Sequence, residues 1–192
     1  MEKLLKRGNA KIGKNTLCWS ITPVASCLNC EQCKKHCYAL SPYRLYPTVK
    51  VSWDKNFSLA KTGEFQQHII HQLESIKKCD SVRIHVAGDF FSDEYILQWY
   101  EIVKRFPAIK FYGYSKVFDL VNVEKLNELK NCNIINSIVS DGGVNFGNAE
   151  RVEYLKKQGY ILCPATAGKA VNCGTTCKIC LTNKKVCFNL HR

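Results

Sequence analysis

VRIHVAGDFFSDEYILQWYEIVKRFPAIKFYGYS, residues 82–115, decides the fold. Its first seven residues alternate Val82, Ile84 and Val86 against Arg83 and His85, the period of a strand with one apolar and one polar face. From Ser92 the period changes. Ser92 is an N-cap candidate, Asp93 and Glu94 occupy the first turn, and an amphipathic helix is expected to Phe106. AIKFYGYS (108–115) then reads as a second strand. Further along the chain, VNVEKLNELKN reads as a helix, 133–140 as a strand, NAERVEYLKKQG as a helix closed by Gly159, and 160–164 as a last strand. Upstream, Glu64 to Ile76 lines Phe65, Ile69, Ile70, Leu73 and Ile76 along one helical face, within a helical region 43–78.

Strand and helix alternating at this interval is the pattern of βα units around a parallel sheet, with at least four strands in 82–164. At 192 residues the chain is short of the ~250 of an eight-fold barrel. The expectation is a single α/β domain over 1–192 with a partial TIM-barrel-like (βα)n sheet. It divides into a Cys-rich N-terminal segment (1–42), a βα core (43–162) and a Cys-rich C-terminal segment (163–192).

Twelve cysteines are present, and ten lie in the two terminal segments. No apolar signal core precedes them, so reduced, metal-ligating thiols are expected rather than disulfides. Cys27, Cys30, Cys33 and Cys37 follow C-x-x-C-x-x-C-x-x-x-C, the run of bacterial ferredoxins with Tyr38 in place of the proline. Cys18 is a possible extra ligand. In the tail, Cys173, Cys177 and Cys180 follow C-x-x-x-C-x-x-C, the spacing of radical S-adenosylmethionine (radical SAM) enzymes. There that triplet sits near the N-terminus, so here it reads as a cluster or zinc site closed by Cys163, with Cys187 and His191 as weaker candidates. A [4Fe–4S] cluster is the first expectation at either end and zinc the alternative. Cys79 and Cys132 read as structural.

Polar residues recur where strands end. Arg83 and His85 are expected on one strand face, with Asp89 just beyond. Tyr112, Tyr114 and Lys116 alternate on the next strand around Ser115, and the third ends in Ser140 and Asp141. Ligands gather at the C-terminal ends of parallel strands. Arg83, His85, Asp89 and Lys116 are therefore the candidate catalytic pocket, and Arg83, Asp89, Ser115 and Ser140 the candidate cofactor contacts. His85 and Asp89 suit an acid/base pair, and Arg83 or Lys116 a carboxylate or phosphate.

The formal charge is +12. Two tetrathiolate centres would lower it to about +8. The first 14 residues carry five Lys or Arg, as do the last 30, and this suggests nucleic acid as a partner through the termini. No apolar run is long enough to span a bilayer, so no membrane association and a cytoplasmic location are expected.

The motifs GKNTLCWSITP, C-x-x-x-CYA, R-x-H-x-x-GD, Y-S-K and CP…C-x-x-C…F-x-x-H together resemble the phage and prophage gene product 88 family. More loosely they resemble phage proteins with radical-SAM-like barrels. The resemblance implies a TIM-like fold with metal-binding cysteines at both ends, in the host cell. It points to Cys27, Cys33 and Cys37, to Cys163, Cys177, Cys180 and His191, and to Arg83, His85, Gly88 and Asp89. Cys30 and Cys173 are additional in this chain. The family implies architecture rather than an activity. Two functions are expected: an iron–sulfur protein with a radical-SAM-like fold, supplied by an electron donor and able to bind S-adenosylmethionine, or a metal-stapled nucleic-acid-binding module without catalysis. A zinc-stabilised scaffold is the third.

Overall fold

The structure is a computed structural model that describes residues 3–28, 31–35, 37–117, 120–136, 149–169, 171, 173 and 176–188. Strands β1 (Lys6–Arg7) and β2 (Thr16–Cys18) form an antiparallel pair. Four helices follow: α1 (Glu31–Lys34), α2 (Leu40–Leu45), α3 (Pro47–Ala60) and α4 (Phe65–Ser75). Then come β3 (Ser81–Ile84), α5 (Asp93–Arg105), β4 (Lys110–Ser115), α6 (Val123–Glu128) and β5 (Cys132–Asn136). The chain continues through α7 (Ala149–Lys157), β6 (Ile161–Leu162), α8 (Ile179–Thr182) and β7 (Val186–Cys187).

The fold is mixed α/β. Its five-stranded sheet has the order β1-β2-β3-β4-β5, with β2 to β5 parallel and only β1 reversed. Sequential order with right-handed crossovers places the connecting helices on one face. Accordingly α4 packs on α5 and α5 on α6. The pleat sends Leu17, Val82, Ile84, Phe111 and Ile134 into that helix-covered core. Trp19, Phe65, Tyr95 and Trp99 form its aromatic centre, with ring centroids 5.1–6.3 Å apart.

Local signals account for the elements. Ser92 caps α5 by accepting the Tyr95 N–H at 3.2 Å, with Asp93 and Glu94 in the first turn and Lys104 and Arg105 in the last. Pro47 opens α3, where its missing N–H costs nothing. Gly159 takes φ +81 after α7.

Several expectations are corrected. The first strand of the 82–115 stretch stops at Ile84 rather than continuing to Gly88, because His85 adopts φ 57 and breaks the alternation. The region 43–78 is two long helices and the end of a third, broken at Pro47 and around Gly63. The strand at 160–164 does not extend the main sheet: β6 pairs in parallel with β7, forming a separate two-stranded sheet. No barrel closes among the described residues. Residues 137–148, with Ser140 and Asp141, lie outside them, as do Cys30 and His191.

Candidate functional site

The face of the sheet away from the helices carries the site. Register aligns Cys18 with Arg83, Arg83 with Tyr112 and Tyr112 with Asn133, so one polar row crosses four parallel strands. Tyr114 stands two residues further along β4, opposite Ile135. The C-terminal segment covers this part of the row. Asn133 Nδ2 donates to the carbonyls of Cys180 (2.7 Å) and Asn183 (3.1 Å), clamping α8 to β5. Ile135, Cys163 and Val186 form a small buried core, with Tyr114, Ile179, Cys180 and Phe188 packed against it.

Four thiols of this segment, Cys163, Cys173, Cys177 and Cys180, lie near enough to influence one another's charge. The Cys163 N–H donates to the Cys187 carbonyl at 2.8 Å, and the backbones of Cys173 and Cys177 form a parallel bridge. Burial pushes the Cys173 thiol up, and the neighbouring Cys163 and Cys177 charges push it further. Burial takes Cys180 to about 11. A hydrogen bond from Tyr114 opposes the rise, and Cys163, Cys173 and Cys177 add to it. This mutual repulsion among thiolates is what a bound cation relieves. Among the described residues, no three His, Cys, Asp or Glu side chains stand at ligating separation. None of the eleven described cysteines forms a disulfide with another described residue.

The N-terminal set follows β2, the first parallel strand. Burial raises Cys27 to about 12, with Asp89 and Cys37 adding to the rise, so Cys27, Cys37 and Asp89 are neighbours. Cys33 sits in α1. Tyr38 reaches from this segment to donate to the Val86 carbonyl, beside the row.

Arg83 lies between the two cysteine segments. Burial pulls its guanidinium down, and Tyr38, Tyr114, Tyr112 and Cys18 around it more than offset that effect. Its Cζ is 5.3 Å from the Tyr114 ring centroid. Its Nε is buried without a hydrogen-bond partner, and no carboxylate pairs with it among the described residues.

His85 does not share this face. With its backbone in the left-handed region it turns into the helix-side core, where Nε2 lies 2.9 Å from the Tyr95 hydroxyl and the ring packs 4.6 Å from Phe90. Burial lowers it to about 3, so it is neutral at pH 7. Asp89 is a staple between strand ends. It accepts from the Phe90 N–H (2.8 Å), the Ser115 hydroxyl (2.7 Å) and the Lys116 N–H (2.8 Å). Burial raises its carboxyl against these three bonds. Asp89 and Lys116 are therefore brought together, Ser115 is fully enclosed, and His85 and Asp89 take different partners. Beside the row, a cavity of about 220 Å³ is lined by Lys6, Arg7, Cys18, Trp53 and Asn56 among others.

Sequence reasoning passed over Cys18, Tyr112 and Asn133 as members of one row. Only alternation within each strand hinted at them, and alignment between strands needs the register. The fold and the site define a mixed α/β protein whose two cysteine-rich segments flank one polar sheet face. The profile of the family described as Gene product 88 matches residues 3–189, and the chain belongs to that family. It is similar to the Gene 88 protein of Mycobacterium phage D29, 24% identical over 94% of this chain and 88% of that one. It is also similar to the Gene 88 protein of Mycobacterium phage L5, 27% identical over 58% and 52% of the two chains. No solved structure matches.

Proposed function

We propose that the chain is a phage metal–thiolate protein in which Cys163, Cys173, Cys177 and Cys180 hold an iron–sulfur cluster, a [4Fe–4S] cluster first, with zinc as the alternative metal. The observation that carries this reading is the gathering of four thiols, spread over 18 residues of sequence, into one part of the molecule, where Cys163 and Cys177 raise Cys173 and all three raise Cys180. Four thiolates around a zinc ion, or around a [4Fe–4S] core of charge about +2, carry a net charge of roughly −2. The Tyr114 hydroxyl hydrogen-bonds Cys180, the kind of outer contact that orients a ligand and tunes a cluster. Bound there, a cluster supplies one-electron transfer, with an electron-donor protein as its partner, while the chain's residues enclose it and set its charge.

A second reading concerns the N-terminal set, Cys27, Cys30, Cys33 and Cys37. It follows the first parallel strand, where radical SAM enzymes carry their triplet, and the sequential parallel order of β2 to β5 supports this reading. Three of these thiols would hold a second cluster, leaving it open to S-adenosylmethionine. A reducing host cytoplasm suits both centres.

Anaerobic purification with iron, sulfide and zinc quantification tests the proposal. Brown protein with matching iron and sulfide is the expected result. Colourless protein with stoichiometric zinc moves the function to the nucleic-acid-binding or scaffold reading, and metal-free protein after reconstitution overturns the metal centre.

A further inference from the structure

Arg83 poses a separate problem of charge. Its guanidinium sits between segments 27–38 and 163–188, against the sheet, with Tyr38, Tyr112, Tyr114 and Cys18 as its surroundings. Nε is sealed from solvent and bonded to nothing, and no Asp or Glu pairs with the side chain among the described residues. Arg83 is half-buried, and a sealed, unbonded donor on such a cation is unfavourable until an anion meets the side chain. Arg83 Cζ lies 5.3 Å from the Tyr114 ring centroid, and the Tyr112 ring stands at 89° to that ring with centroids 6.4 Å apart.

We propose that Arg83, beside Tyr112 and Tyr114, is a seat for an oxyanion, the carboxylate or phosphate group of a small solute, on the polar face between the two cysteine segments. A planar guanidinium matches either group through paired N–H bonds. The inference goes beyond the metal reading and does not require it: the seat is defined by the unpaired cation whether or not the thiols carry metal.

The test is thermal unfolding of the purified full chain in phosphate and in acetate, each against chloride at matched ionic strength, for the wild type and Arg83→Met. At about a hundredfold excess over Kd the wild-type midpoint rises by roughly 5 °C or more in at least one anion. A response to phosphate alone assigns a phosphate group, and one to acetate alone a carboxylate. Arg83→Met shows no anion response, and in chloride it is at least as stable as wild type, because a half-buried charge with a sealed, unbonded donor has gone. Should that variant fail to fold, Arg83→Lys keeps the charge without the fork and is expected to bind at least tenfold more weakly by calorimetry. A wild type indifferent to both anions overturns the proposal, as does an Arg83→Met protein that responds as fully as the wild type. So does a response that vanishes on loading iron or zinc, which would make the thiolate centre the counter-charge.

Discussion

Asp89→Asn separates a structural carboxylate from a reactive one. Asp89 Oδ1 accepts from both Ser115 and Phe90, and Oδ2 accepts from the Lys116 N–H. An asparagine that keeps its oxygen at the first position turns its amide NH₂ toward the Lys116 N–H, donor against donor. The opposite orientation loses two acceptances instead of one, so the first is adopted. The part-buried Lys116 N–H then loses this acceptor, at a cost of about 1–3 kcal/mol. For a chain of this length the melting midpoint falls by about 2–12 °C. Urea and thermal unfolding read this directly, because Asp89 ties the loop after β3 to the end of β4. A variant within 0.5 kcal/mol of wild type would refute the staple and return Asp89 to the reactive candidates.

Three further outcomes are expected. His85 is held near 3 against an unfolded value near 6.5, so its contribution to stability is complete above pH 6.5 and is lost as pH falls toward 3. Between pH 7 and pH 5 the loss is about 2 kcal/mol; His85→Gln should flatten the urea midpoint over that window, and an unchanged slope contradicts the buried neutral imidazole. Gly88→Ala should destabilise by roughly 2–5 kcal/mol, since Gly88 has φ +83 and an added Cβ would lie 2.3 Å from Ile21 Cγ1; a midpoint within error of wild type counts against that packing. Cys180→Ser should lower bound metal whereas Cys79→Ser, whose thiol meets the Ser81 carbonyl, should not; equal loss from both would sink the ligand assignment.

Much of the architecture was legible in the sequence because its signals are local. The Ser92 cap, the Gly159 stop and the apolar alternation of Val82 and Ile84 each follow from neighbouring residues. What was not legible depends on contacts distant in sequence. A histidine with positive φ has no reliable sequence mark, so Arg83 and His85 read as one face when they lie on two. The short β1, seated against β2, and β6, which pairs with β7 across an irregular tail, lack the length for a periodic pattern. The cysteine spacings announced two sets of thiols. They gave no sign that Asn133 would clamp α8 over the sheet or that Arg83 would lie beside Tyr112 and Tyr114 with no carboxylate partner among the described residues. The basic termini suggested nucleic acid, and no geometry among the described residues speaks to that partner. No described helix is long and apolar enough to cross a membrane, as the hydropathy implied.

X-ray absorption at the iron and zinc edges of anaerobically purified protein tests the metal–thiolate centre most directly. The account predicts a first shell of sulfur at about 2.3 Å, accompanied by an iron–iron shell if the centre is a cluster, and its reduction in Cys180→Ser. A shell of oxygen and nitrogen alone, unchanged in Cys180→Ser, would contradict it.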